Sequence, residues 1–122
     1  MPFLLVFLGG GLGSVFRYGI ARAMQSYAFT FPYATLTANI LSCIVLGFFV
    51  SLSWRAGMVS NDLKLFFMVG FCGGFSTFST FSNETFALLR DGNMTLALAN
   101  IAVSVVVCLG AIYVGILLGK AF

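Results

Sequence analysis

Charge is so sparse along this chain that four long runs carry none at all: 1–16, 23–54, 65–83 and 92–119. A membrane-spanning helix needs about 20 mostly apolar residues. Runs of this length predict four spans, at 3–24, 32–53, 63–89 and 95–118, with almost nothing left over. The expectation is an all-α integral membrane protein, a single transmembrane domain over 1–122. Composition agrees, because 61% of residues are hydrophobic and only 7% are charged, more apolar than a soluble core of this length requires. The first run has no basic segment ahead of it, and its apolar character continues past Arg17 without a cleavage-like site. It reads as a mature span rather than a cleaved signal peptide.

The third run is not written like an ordinary greasy helix. Gly70 to Asn83 reads GFCGGFSTFSTFSN, with paired glycines at Gly73 and Gly74 followed by a triplet repeat. The triplets are Phe75-Ser76-Thr77, Phe78-Ser79-Thr80 and Phe81-Ser82-Asn83. Each glycine weakens a helix by roughly 1 kcal/mol relative to alanine, and hydroxyl side chains compete for backbone hydrogen bonds. Broken backbone at membrane depth is tolerated only where protein or a water-filled cavity satisfies the freed groups. The stretch therefore predicts a third helix broken near Gly73–Thr77, beside an ion or solute path of the kind transporters build. A small-residue packing face with a phenylalanine stripe toward lipid is the plainer alternative. The density of polar groups weighs against it, since such groups are costly in lipid.

Few kinds of chemistry are open to such a chain. Histidine is absent, which removes the commonest general base and metal ligand. The three carboxylates, Asp62, Glu84 and Asp91, are not paired at catalytic spacing. Cys43, Cys72 and Cys108 stand singly in three runs without CxxC spacing, which speaks against zinc or a disulfide framework. The net charge of +3 comes from scattered residues, so no nucleic-acid partner is expected. Nothing reads as an enzyme.

The other spans carry isolated polar residues. The first has Gly9-Gly10-Gly11 and Gly13, which allow close helix approach, and then Arg17 and Arg22. Arg22 reads as snorkelling to the interface, whereas the deeper Arg17 fits either snorkelling or attracting anions at a vestibule. A short polar turn at Gln25-Ser26-Tyr27 separates the first span from the second. In the second span Thr35, Asn39 and Ser42 share one helical face. A lipid-facing amide would cost several kcal/mol, so Asn39 is either interhelical glue or pore lining. Glu84 reads as a local partner for an arginine or as part of a vestibule. In the fourth span Asn100, Ser104 and Cys108 form a stripe that permits a polar track, although Ser104 can also bond back to its own helix.

Orientation follows the bias of lysine and arginine between the two sides of the membrane. Four spans put Arg55, Lys64 and Lys120 on one side and Arg17, Arg22 and Arg90 on the other, three against three. With no bias, the chain is expected to insert both ways up. Four spans are also too few to enclose a pathway comfortably, so an antiparallel, dual-topology homodimer follows, with two-fold symmetry in the membrane plane. A dimer with a single orientation is the alternative.

Three motifs resemble the Fluc (CrcB) family of bacterial fluoride channels: GGGLGSVFRY (Gly9–Tyr18), TLTANILSCIVLG (Thr35–Gly47) and, above all, GFCGGFSTFSTFSNE (Gly70–Glu84). The resemblance covers essentially the whole chain. It implies a dual-topology dimer in the bacterial cytoplasmic membrane that passes fluoride outward and confers fluoride resistance. It also implies a structural sodium ion, Na+, at the dimer centre, held by backbone carbonyls that map onto Gly73 and Ser76. The implied path uses Asn39, Phe78, Phe81 and a polar track with Ser79, Thr80 and Ser104; Arg17 joins the candidates on its depth in the first span alone. Ser76 stands where threonine is common in the motif, a change that a carbonyl ligand tolerates. Cys108 stands where a second track hydroxyl is expected.

The chemistry of these side chains suits that reading. Fluoride is small and strongly hydrated, so a pore must replace its water with hydrogen-bond donors, here the Asn39 amide and the Ser79, Thr80 and Ser104 hydroxyls. Fixed lysines would bind too tightly for conduction. Phenyl rings carry a positive edge, and the i, i+3 spacing of Phe78 and Phe81 puts them side by side on a helix. Two other classes compete. A small dual-topology multidrug exporter needs a carboxylate in its first helix, but the first acidic residue is Asp62. A non-transporting scaffold has no use for polar stripes on three helices.

Overall fold

The computed structural model describes residues 1–26 and 30–122, and among them every regular element is helical. Helix α1 covers Pro2–Met24 and α2 covers Tyr33–Ser53. The third span, Asn61–Arg90, is composite. It comprises α3 (Asn61–Leu63), a π-helical segment (Lys64–Phe71), α4 (Cys72–Phe75) and α5 (Phe78–Arg90). Helix α6, Met94–Lys120, completes four helices long and apolar enough to cross a membrane. The polar turn expected at 25–27 runs onto Tyr27, which lies outside the described residues.

Little of this chain is buried within itself. Phe3, Phe7, Val106 and Leu109 are among many large apolar side chains on its surface. That distribution fits a protein whose solvent is lipid, where helices associate through close backbone packing rather than by hiding apolar surface from water. Helix α1 packs on the π segment and α4, and α2 forms its most extensive contact with α6. On the α2–α6 seam, a Cβ at Gly47 would collide with the Ile112 carbonyl, and one at Gly115 with the Ile44 carbonyl. Arg55 binds the end of α6, donating from Nη2 to the Lys120 carbonyl at 3.0 Å, where unpaired carbonyls and the helix dipole favour a cation.

The expected break in the third helix is present, and of its two expected causes, paired glycines and competing hydroxyls, only the second is used. Gly73 and Gly74 are themselves helical, inside α4, and neither has a positive φ. The chain opens just beyond them, with Ser76 extended at ψ 156° and Thr77 extended at φ −150°, ψ 120°. The hydroxyl residues make the break. Gly74 serves close approach instead, since a Cβ there would strike the Gly10 backbone of α1.

Candidate functional site

The break is held open by side chains that take over the backbone's hydrogen bonds. Thr77 is the N-cap of α5, and its Oγ1 accepts from the Thr80 N–H at 3.2 Å. That N–H would otherwise serve the Ser76 carbonyl one turn back. The Thr77 N–H in turn donates to Asn39 Oδ1 of α2 at 2.9 Å, and so does not serve the Gly73 carbonyl. Two helical bonds are thereby diverted, and the carbonyls of Gly73 and Ser76 lose their usual donors. The neighbouring carbonyls are well supplied. Cys72 O accepts from the Ser76 N–H at 3.0 Å, from Ser76 Oγ at 2.8 Å and from Ser42 Oγ at 3.1 Å. Gly74 O accepts from Arg17 Nε at 3.2 Å and from Ser14 Oγ at 3.5 Å.

Beside the break lies an open groove of about 290 Å³. Asn39, Ser76, Phe78, Phe81 and Ser104 line it, so these residues come together from α2, α5, α6 and the break. Because Asn39 Oδ1 is anchored on a backbone N–H, its amide orientation is determined, and its two N–H donors are left for the groove. The Phe78 and Phe81 rings lie side by side at 5.7 Å between centroids. Phe78 is 79% exposed, on the outer surface of the chain. Thr80 accepts a hydrogen bond at its Oγ1 from Thr77 Oγ1 at 3.1 Å, and Ser79 Oγ lies 3.4 Å from Thr77 Oγ1. Both therefore flank the groove through Thr77 rather than lining it.

Arg17 and Gly73 lie apart from the groove. Arg17 Nε donates to the Gly74 carbonyl, tying α1 to the break. Gly73 faces open space, and a methyl group in place of its hydrogen would meet nothing within 4 Å. Glu84 lines a second cavity of about 510 Å³, together with Tyr18, Arg22 and Tyr33. The arginine pairing expected for Glu84 is not formed: among the described residues the one ion pair joins Arg90 and Asp91 at 3.3 Å, and Glu84 Oε1 is buried without a hydrogen-bond partner.

Sequence reasoning did not find the relay behind the groove. Ser104 Oγ donates to Asn100 Oδ1 at 3.2 Å, Asn100 Nδ2 donates to Thr85 Oγ1 at 2.8 Å, and Thr85 Oγ1 donates to the Phe81 carbonyl at 2.8 Å. Asn100, 1% exposed, thus clamps α5 to α6. The i, i+4 spacing of Asn100 and Ser104 was the available signal, but Thr85 lies across a turn and has no pattern to announce it. The bond from the Thr77 N–H to Asn39 was hidden for the same reason, since it joins two spans. No group of three or more His, Cys, Asp or Glu side chains that could hold a metal occurs among the described residues.

Comparison with known proteins points one way. The Fluoride-specific ion channel FluC of Pyrococcus abyssi is 41% identical over 117 residues, 96% of this chain and 94% of the relative. The protein of the same name from Clostridium perfringens is 46% identical over 99 residues, 80% of this chain and 77% of the relative. That of Phocaeicola vulgatus is 49% identical over 90 residues, 73% of this chain and 74% of the relative. The family described as "CrcB-like protein, Camphor Resistance (CrcB)" matches residues 4–116, and this four-helix, multi-pass membrane protein belongs to it.

Proposed function

We propose that two copies of this chain, inserted in opposite orientations, form a channel that lets fluoride leave the cell down its gradient. The observation that carries the reading is the groove at the helix break. There a donor amide, Asn39, faces two phenyl rings with no carboxylate or lysine among the lining residues. Such a surface offers hydrogen-bond donors and positive ring edges without fixed charge, which gives the weak, multiple sites that conduction needs. The names of the relatives support fluoride as the ion. Ser104 joins the path by turning its O–H from Asn100 toward the anion, and Ser79 and Thr80 extend the polar track. Arg17 acts one step removed, by holding the break through Gly74.

A second copy is supported by what one copy leaves uncovered. Gly73, Ser79, Ser82 and Asn83 are exposed on a span long and apolar enough to cross a membrane. Polar groups there need protein or water around them, not lipid. The three-to-three division of basic residues supports opposite orientations.

A structural sodium ion fits the donors present. The Gly73 and Ser76 carbonyls have lost their helical donors to Asn39 and Thr77, and such hard oxygen ligands suit a hard cation. Carbonyls from two copies would hold the ion, which would link the subunits and add positive potential near the path. Fluoride efflux from vesicles containing the purified protein tests the whole reading. Rapid efflux of fluoride but not chloride is expected; correctly folded protein that passes no fluoride would rule it out.

A further inference from the structure

We propose that Cys43 and Cys108 form a two-thiol site for a soft, thiophilic cation such as Hg(II), set in the wall of the groove. Helices α2 and α6 run in parallel, and their closest approach includes Gly47 against the Ile112 carbonyl. One helical turn back on each helix stand Cys43 and Cys108, so the register that seats the glycine also puts these two residues at the same level of the seam. Both side chains open on the same groove, one from each side of the α2–α6 seam. Both are half-buried, and both line the groove with Asn39 and Ser104, so a solute in the groove reaches them. Cys72 is different in kind. It is 2% exposed, and its Sγ donates to the Ser42 carbonyl at 3.6 Å, as a packed thiol does.

Soft cations prefer sulfur ligands, and two thiols on rigid neighbouring helices chelate where one would bind and release. Two S–H bonds break and two S–Hg bonds form. Two protons leave to water, and nothing is oxidised or reduced. The groove's other polar groups, an amide and hydroxyls, are hard donors that do not compete for such an ion. If the groove is the anion path, as proposed above, an occupied site also blocks it; this blocking role rests on that reading, whereas the site itself does not.

The test loads the purified full-length protein with Hg(II), washes it with roughly a hundred-fold excess of glutathione, and measures retained mercury. The parent and Cys72→Ser should keep one mercury per chain, while Cys43→Ser and Cys108→Ser should each lose it. Retention by either of those two variants, or release by the parent, overturns the site. Should the serine variants fold poorly, the unmutated protein supplies a second reading. Phenylarsine oxide, which bridges paired thiols, should protect Cys43 and Cys108 together from maleimide, as read by peptide mass; protection of neither overturns the site equally. In vesicles, mercury should abolish fluoride efflux and a dithiol should restore it. Retained mercury with unchanged efflux overturns the blocking role. A parent that binds mercury but never passes fluoride sinks the channel reading and supports the thiol site.

Discussion

Asn39 Oδ1 accepts the Thr77 N–H at 2.9 Å, and this one bond joins α2 to the point where the third helix opens. Its oxygen is structural and the residue lines the groove, so one side chain both holds the break and borders the space beside it. The two roles are separable by substitution. Asn39→Asp keeps an oxygen acceptor for Thr77 but removes the donors and adds negative charge, so the protein should fold while fluoride efflux is lost. Asn39→Ala leaves a backbone N–H unsatisfied and should cost about 1–3 kcal/mol of stability. Efflux at the parent rate from folded Asn39→Asp would show that this amide is not on the path.

Phe81→Ile should slow efflux without unfolding the protein. The substitution keeps apolar bulk beside Phe78 and removes the positive ring edge. Flux is compared at matched amounts of folded protein, and an unchanged rate would make Phe81 an ordinary packing residue.

Adjacent glycines should behave oppositely. Gly74→Ala drives a methyl group into the Gly10 backbone and should weaken packing of α4 on α1, lowering the thermal midpoint in detergent. Gly73→Ala meets nothing within 4 Å in the single chain, so it should leave the fold of one copy intact. If a second copy and an ion sit against Gly73, the same variant should impair dimerisation or efflux. Parent-like behaviour in size, sodium dependence and flux would remove Gly73 from the proposed sodium site.

Asn100→Ala should destabilise the protein by about 1–3 kcal/mol, because it takes the acceptor from the Ser104 hydroxyl and the α5–α6 hydrogen bond from Thr85, which keeps only its bond to the Phe81 carbonyl. Ser104→Ala removes only the end of that relay and should cost less. Thermal unfolding of the two variants checks the order, and a larger loss for Ser104→Ala would contradict it.

Two lysines added between Arg55 and Lys64 should force a single orientation, because they create a bias where the chain has none. Expressed alone, that variant should lose efflux if opposite orientations are needed. Full activity from a uniformly oriented population would end the inverted-dimer proposal.

Much of the architecture was legible because it depends on local properties of the chain. Charge-free runs long enough to span a bilayer imply helices in any context, since lipid offers the backbone no other partners. Dense hydroxyls after Gly73-Gly74 marked a break for a local reason as well, because a threonine cap competes with the helix's own bonds within one turn. Of the two expected causes the hydroxyls carry the break: the glycines' freedom was available but unused, and Ser76 and Thr77 open instead.

What sequence alone determined, then, is that this chain spans a membrane four times and interrupts its third span at a hydroxyl-rich segment. Which groups meet there depends on how the spans pack against one another. That Thr77 donates to Asn39, that Arg17 binds the Gly74 carbonyl and that Asn100 clamps Thr85 are pairings between spans. Helical periodicity says which residues share a face, but rotation and offset between helices come from backbone approach, such as Gly47 against Ile112. In lipid that approach is set by fit between backbones and by hydrogen bonds across the seam, not by an apolar stripe that a sequence displays.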